Sequence, residues 1–156
     1  MKNKILTMNI IKPAFALCVT VFCTFTSNAQ ILSSTKPLLF NNSAATFQAN
    51  TTELDKAFNV KAGSSIQLNL ANNFVFTGVV LSSVQRYANL SSIIIKSPLL
   101  HNTLLSVSKR INDDNSVTYV GRILNESYAD GYELKKSSDG IYTFHKIKTE
   151  DLIQDY

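Results

Sequence analysis

Histidine is the side chain that proteins use most often as a general base, and it is a common metal ligand. The chain contains two histidines. His101 follows a Pro-Leu-Leu run in a predicted loop, and His145 lies in a predicted strand. Their spacing gives no sign that they meet, and neither belongs to a cluster of potential ligands in the sequence. We therefore interpret both as structural or surface residues and predict no metal site.

One polar segment with two adjacent acidic residues could bind calcium. Asp113 and Asp114, followed by Asn115, offer oxygen ligands. Their spacing does not match the Asp-x-Asp-x-Asp-Gly loop with its distal glutamate. Because Asp and Asn are also the residues that hairpin turns favour, we interpret this segment as a turn.

A second group of carboxylates could support hydrolysis. Glu126, Asp130 and Glu133 span one predicted loop, and two carboxylates can act as acid and base in glycoside hydrolysis. Such a site also needs a deep cleft with aromatic side chains, and this small chain contains no tryptophan. A small hydrolase built on Glu126, Asp130 or His145 is therefore the least favoured of our hypotheses.

Recognisable catalytic motifs are absent from the sequence. It contains no Gly-x-Ser-x-Gly elbow, no His-Glu-x-x-His pair and no phosphate-binding loop. Its five glycines are not clustered, so a glycine-rich nucleotide site is excluded. We predict no catalytic residues, no cofactor and no enzymatic activity.

One loop is a candidate interface for another protein. Tyrosine and arginine are enriched among the residues that anchor interfaces, and binding residues often lie on loops held by a rigid scaffold. The segment from Asn125 to Tyr132, flanked by an arginine, has this character. The alternative is an ordinary strand connection whose tyrosines cover the edge of the core. The candidate binding residues are Arg122, Glu126, Tyr128, Asp130 and Tyr132.

Residues 1–29 have the pattern of a secretory signal peptide. Three lysines precede an apolar stretch from Pro13 to Phe25, and small residues lead to a predicted cleavage site between Ala29 and Gln30. The apolar stretch is shorter than the roughly 20 residues that a spanning helix needs, which argues against an uncleaved anchor. We expect a secreted or periplasmic protein of bacterial type, without a transmembrane segment after cleavage.

Cleavage would change both the charge and the cysteine content. The full chain has 15 basic and 11 acidic residues, and removal of the three lysines leaves 12 basic residues against the same 11 acidic ones. This balanced surface gives no sign of nucleic-acid binding. Cys18 and Cys23 also lie in the cleaved segment, so the mature chain would contain neither disulfides nor thiolate metal sites.

Alternating apolar and polar residues predict a mainly β domain. Four strands joined by tight turns are predicted between Thr103 and Ile147, and further short strands precede them. Ser82–Leu90 is predicted to be a polar connection, and Ala129–Gly131 a turn. Gly121, inside one of these strands, suggests a bulge or a close backbone approach. A helix is predicted over Thr52–Phe58, capped by Thr51 or Thr52, and a second short helix near the C-terminus.

We expect one domain over residues 44–156, preceded by a tether or edge segment over residues 30–43. The predicted architecture is an antiparallel β-sandwich or barrel of about seven or eight strands with one or two short helices. The favoured function is a secreted, non-enzymatic interaction or binding module, whose partner is another exported or cell-surface protein. A secreted protease inhibitor or prodomain-like regulator is the alternative. No family resemblance is specific enough to name.

Overall fold

The computed structural model describes residues 36–152, so the predicted signal peptide lies outside the described part of the chain. Within the described residues, no helix is long and apolar enough to cross a membrane. One helix, α1, covers Thr51–Ala57, and short 3-10 turns cover Pro98–Leu100 and Thr149–Leu152. The strands are β1 (Thr46–Gln48), β2 (Ser65–Ala71), β3 (Phe74–Tyr87), β4 (Leu90–Ser97), β5 (Thr103–Ile111), β6 (Val117–Leu124), β7 (Asp130–Lys136) and β8 (Tyr142–Lys148).

All eight strands form one antiparallel sheet that curls into a half-barrel. Strands β2 to β8 follow each other in chain order, and β1 pairs with β8 at the far edge. Consecutive strands pair with one another because short polar turns join them. The predicted fold class is confirmed, and of the two predicted architectures the barrel-like one is found.

Side chains alternate between a buried inner face and an exposed outer face along each strand. In β6, Tyr119, Gly121 and Ile123 are buried, whereas Val120 and Arg122 are exposed. Gly121 keeps regular pairing with both neighbouring strands and does not form a bulge. A Cβ atom there would lie 3.0 Å from a backbone oxygen of β5, so the close backbone approach predicted for this glycine is found.

Aromatic rings fill one end of the half-barrel. The ring of Phe47 on β1 stacks on that of Phe74 on β3, with centroids 4.8 Å apart. Tyr132 lies edge-on to Phe47 at 5.0 Å, and Phe40 lies edge-on to Tyr132 at 4.9 Å. Phe144 approaches Phe47 to 5.1 Å. Through these side chains, β1 contacts β3, β7 and β8 inside the half-barrel. Aromatic pairs at such distances attract one another and so stabilise this end of the sheet.

The segment before β1 packs on the sheet through hydrogen bonds and does not form a strand. The carboxylate of Asp130 accepts the backbone N–H groups of Leu39 at 2.6 Å and Phe40 at 3.0 Å. The ammonium group of Lys146 donates to the carbonyl oxygens of Phe40 and Ser43 at 2.6 Å and 2.7 Å. The two charged side chains thereby hold this segment against β7 and β8.

Helix α1 begins one residue earlier than predicted, and its cap is Asn50 rather than Thr51 or Thr52. The Oδ1 atom of Asn50 accepts two N–H groups of the first turn, and asparagine is among the best residues at this position. Leu54 is buried under the helix. The ion pair between Asp55 and Lys109 links the helix to β5.

Two segments differ from the sequence prediction. Ser82–Leu90 was predicted to be a polar connection, but β3 continues to Tyr87 because its polar residues pair with β4 beyond an irregularity after Val80. The segment around Gly131 was predicted to be a turn, but it begins β7. A Cβ atom at Gly131 would lie 2.5 Å from the carbonyl oxygen of Ile123, so close strand packing accounts for this glycine.

Candidate functional site

The free edges of the half-barrel, β1 and β2, meet at a seam that is open over most of its length. The backbone N–H of Asn50, just after β1, donates to the carbonyl oxygen of Leu70 in β2 at 2.8 Å. A register irregularity between Asn69 and Ala71 accompanies this contact. Because every pairing around the sheet is antiparallel, β1 and β2 also run in opposite directions, so residues before Asn50 lie towards the turn that follows β2.

Strand β1 directs unpaired backbone groups into this seam. Ala45 and Ala49 form hydrogen bonds with β8, at the carbonyl oxygen and the N–H group respectively. In an antiparallel pair, alternate residues point their N–H and C=O groups to opposite sides. The backbone groups of Thr46 and Gln48 therefore point away from β8, towards the seam.

A groove of about 1100 Å³ occupies the open part of the seam. Its walls are β1, the segment before it, the start of α1 and the two-residue turn between β2 and β3. The half-buried rings of Phe47 and Phe74 form an apolar part of its lining, with Tyr132 buried beside them. Six residues with amide side chains also line the groove, namely Asn42, Gln48, Asn50, Asn69, Asn72 and Asn73.

Most of this hydrogen-bonding capacity has no partner in the described part of the chain. Asn50 uses its Oδ1 atom to cap α1. Within residues 36–152, the side chains of the other five amides form no hydrogen bond to another residue, and all five are exposed. Each amide carries two donor hydrogens and an accepting oxygen. The groove therefore presents both donors and acceptors to a ligand.

Among residues 36–152, the groove lining contains no lysine, arginine, aspartate or glutamate. Nearby charges are engaged elsewhere: Glu53 accepts the backbone N–H of Asn69 at 2.9 Å and pairs with Lys56 at 3.5 Å. Lys146 binds the carbonyl oxygens described above. Burial raises the pKa of Tyr132, so its phenol stays protonated at neutral pH. The groove is therefore uncharged.

The predicted interface residue Arg122 lies on the outer face of the sheet, away from the groove. Its Nε and Nη2 atoms donate to Glu133 at 3.1 Å and 2.8 Å, and Lys135 pairs with the same carboxylate at 3.2 Å. The hydrogen bond from Arg122 is the main reason that the pKa of Glu133 is lowered. These residues form a cross-strand charge cluster.

The other predicted interface residues divide between the interior and the surface. Asp130 and Tyr132 are buried, and the hydroxyl of Tyr132 donates to the carbonyl oxygen of Ala44 at 2.6 Å. Tyr128 is half-buried, with its ring 5.8 Å from that of His101, while Glu126 is exposed. The structure thus uses Asp130 and Tyr132 to hold the segment before β1.

The residues of the hydrolase hypothesis lie in different environments. Glu126 is exposed in the β6–β7 connection, Asp130 is buried against backbone N–H groups, and His145 pairs in register with Glu133. In the described part of the chain, no hydrogen bond or ion pair joins Glu126, Asp130 and His145. Across residues 36–152, no group of three or more His, Asp or Glu side chains is arranged to hold a metal ion.

Comparison with known proteins finds no match to the chain among protein-family models, curated proteins or solved structures. Function is therefore inferred from the groove and its chemistry. Sequence analysis missed this site because its amides are spread from Asn42 to Asn73 and form no motif. The one signal in the sequence was the concentration of asparagine in this stretch.

Proposed function

We propose that the protein is a non-enzymatic binding module and that its ligand occupies the seam groove. The observation that supports this proposal most directly is that six amide-bearing residues line one groove whose described lining carries no charge. Binding sites typically combine an apolar surface with a few polar groups that fix the orientation of the ligand. The two phenylalanines and the surrounding amides supply these two components.

The chemistry of the lining favours recognition over catalysis. General acid–base catalysis requires a group whose pKa lies near the working pH, and an amide side chain does not titrate in that range. Of the lining residues that the structure describes, Tyr132 alone is ionisable, and burial moves its pKa further from neutrality. Amides can orient a ligand by hydrogen bonding without exchanging protons with it.

The groove is also held in place before a ligand arrives. The bond between Asn50 and Leu70 fixes one end, and the stacked pair of Phe47 and Phe74 connects its two walls from inside. Rigid walls lower the entropic cost of ordering the site on binding. This supports a preformed recognition site on a β scaffold.

The signal-peptide pattern of the N-terminal sequence supports a function outside the cytoplasm. We propose that residues 1–29 are removed during export and that the ligand is encountered in the periplasm or outside the cell. An exported or cell-surface partner would then carry the ligand group. N-terminal sequencing of the exported protein is expected to begin at Gln30, and an exported form that still begins at Met1 would contradict this part of the proposal.

Ligand-dependent thermal stabilisation tests the binding function. The protein, purified from cells that express the full chain, is heated with neutral hexasaccharides, tetrapeptides or nucleotides. A ligand that occupies the groove at 100 times its Kd adds about 2.7 kcal/mol of stability, or roughly 5–15 °C in Tm for a domain of this size.

An Asn72→Trp variant provides the matched test, because a large side chain at the turn would obstruct the groove. Asn59→Trp introduces the same side chain at an exposed asparagine outside the groove. We expect one ligand class to stabilise the wild type and Asn59→Trp but not Asn72→Trp. Equal stabilisation of all three proteins, or stabilisation of none by any class, would contradict it.

A further inference from the structure

We infer that the ligand of the seam groove is a neutral oligosaccharide, an inference that rests on the proposed function. Three properties of the groove lead to this ligand class. They are the absence of charged residues, the combination of amides with an apolar surface, and the length of the seam. Each property favours a neutral oligosaccharide over another class of ligand.

The uncharged lining argues against ionic ligands. Nucleotides, phosphorylated sugars and acidic peptides are normally bound by arginine, lysine or helix N-termini that compensate their charge. Within residues 36–152, no lysine or arginine lines the groove, and Lys56 and Lys146 beside it already bind groups of the protein. The start of α1 lies in the wall, but the side chain of Asn50 already accepts the N–H groups of its first turn. A ligand without net charge needs no compensation there.

The amides match the hydrogen-bonding pattern of a sugar. Each hydroxyl of a hexose is both a donor and an acceptor, and two neighbouring hydroxyls can bind the oxygen and nitrogen of one amide group. Gln48 lines the groove at β1, while Asn72 and Asn73 line it at the turn between β2 and β3. Amides on both walls can therefore bind hydroxyls on both edges of a sugar ring.

The apolar lining matches the other surface of a sugar. The C–H groups of a pyranose ring form an apolar face that packs on aromatic side chains. Phe47 and Phe74 are half-buried, so part of each ring remains available to a ligand. Their position among the amides places an apolar contact between two polar rims.

An extended peptide fits the groove less well. A peptide that adds a strand to a sheet gains its affinity from main-chain hydrogen bonds along an exposed edge. Strand β1 has three residues, and Thr46 and Gln48 alone direct backbone groups into the seam. The edge of β2 is partly covered, because Glu53 accepts the N–H of Asn69. Short and covered edges are features that discourage strand addition.

The size of the groove indicates an oligomer rather than a single sugar. Its volume of about 1100 Å³ exceeds the range of about 300–1,000 Å³ typical of small-molecule pockets. The groove is open to solvent along the seam and closed at the Asn50–Leu70 hydrogen bond, so a chain of sugars could continue past its open end. The ligand class is therefore an oligosaccharide segment.

Calorimetric titration tests this inference with three defined probes. These are the linear hexasaccharides of β-1,4-linked glucose, α-1,4-linked glucose and β-1,4-linked N-acetylglucosamine. At least one is expected to bind, with an affinity that is unchanged between low salt and about 0.5 M salt because no ion pair is formed. An affinity that falls steeply with salt would contradict the inference.

The Asn72→Ala/Asn73→Ala double variant is expected to weaken binding of that probe at least tenfold. Neither asparagine has a positive φ, so alanine introduces no backbone strain at this turn. The control, Asn59→Ala, is expected to bind like the wild type. An unchanged affinity in the double variant, despite a wild-type circular dichroism spectrum, would overturn the inference.

Two further outcomes separate the inference from the proposed function. If no hexasaccharide binds but a tetrapeptide or nucleotide stabilises the wild type and not Asn72→Trp, the oligosaccharide inference is wrong and the groove remains a binding site. If no ligand class binds in a manner sensitive to Asn72, both the inference and the proposed function are wrong.

Discussion

The backbone N–H of Asn50 donates a 2.8 Å hydrogen bond to the carbonyl oxygen of Leu70 and so joins the two edges of the half-barrel. Within residues 36–152, it is the sole backbone hydrogen bond between the β1 segment and β2. The side chain of Asn50 also caps the N-terminus of α1. This residue therefore sets where the seam closes and where the groove begins.

Replacement of Asn50 is expected to destabilise the domain through the helix cap. Asn50→Ala removes the oxygen that accepts the N–H groups of Thr52 and Glu53, at an expected cost of about 0.5–2 kcal/mol. Asn50→Asp keeps an accepting oxygen and is expected to lose much less. Urea denaturation measures both values. Equal losses in the two variants would show that the cap is not the cause.

Asp130 is expected to be important for stability because its carboxylate is buried and accepts two backbone N–H groups. Asp130→Ala leaves the N–H groups of Leu39 and Phe40 without this partner, at an expected cost of about 1–3 kcal/mol. Asp113→Ala, at an exposed turn, serves as the control and is expected to change stability by less than about 0.5 kcal/mol. Similar values for both variants in guanidinium denaturation would contradict the role assigned to Asp130.

The charge cluster on the outer face predicts a pH dependence of stability. Hydrogen bonds from Arg122 and Lys135 lower the pKa of Glu133 below its ordinary value of 4.5. A carboxyl group with a lowered pKa in the folded state contributes stability above its unfolded pKa and loses it as pH falls through the folded pKa. Glu133→Gln is therefore expected to destabilise the protein at pH 7 and to show a smaller decrease in stability below about pH 4.5 than the wild type.

Urea midpoints measured from pH 7 to about pH 3 compare the two proteins. Because the Glu133 side chain is 21% exposed, we expect a modest difference at pH 7. A difference between wild type and Glu133→Gln that is constant across this range would show that ionisation of Glu133 does not contribute.

Two glycines in the sheet are expected to differ in their tolerance of alanine. A Cβ atom at Gly78 would overlap the backbone oxygen of Lys96 and lie 2.8 Å from a side-chain atom of Ile95. At Gly121 the nearest atom, the carbonyl oxygen of Ser106, would be 3.0 Å away. Overpacking typically costs about 1–3 kcal/mol, and Gly78→Ala is expected to lose more stability than Gly121→Ala. The reverse order in thermal denaturation would contradict the close packing at Gly78.

The sequence was sufficient to predict the sheet because local rules determine it. Alternation identified the buried face of β7, where Tyr132 and Leu134 point inwards, and the Asp-Gly turn at Gly140 adopts the positive φ of 85° that glycine allows. Each of these features depends on residues close together in the chain. The predicted length of β3 was wrong because pairing with β4 continues this strand through polar residues.

The groove could not be predicted because it depends on contacts between distant parts of the chain. Asn42 and Asn73 line the same groove only after the sheet has curled and the segment before β1 has packed against Lys146. The burial of Asp130 and Tyr132, which were predicted as interface residues, could not be foreseen for the same reason. Their partners in this segment are about 90 residues away in sequence, as the bond from Leu39 to Asp130 shows with a separation of 91.

The most direct test of the groove as the binding site is an NMR titration that follows the side-chain amide signals of Gln48, Asn72 and Asn73. The hexasaccharide that binds in calorimetry is added to isotopically labelled protein. We predict that these three signals shift together along a binding curve with the calorimetric Kd, while the amide signal of Asn59 does not shift. Unchanged signals from the three groove amides at saturating ligand would contradict it.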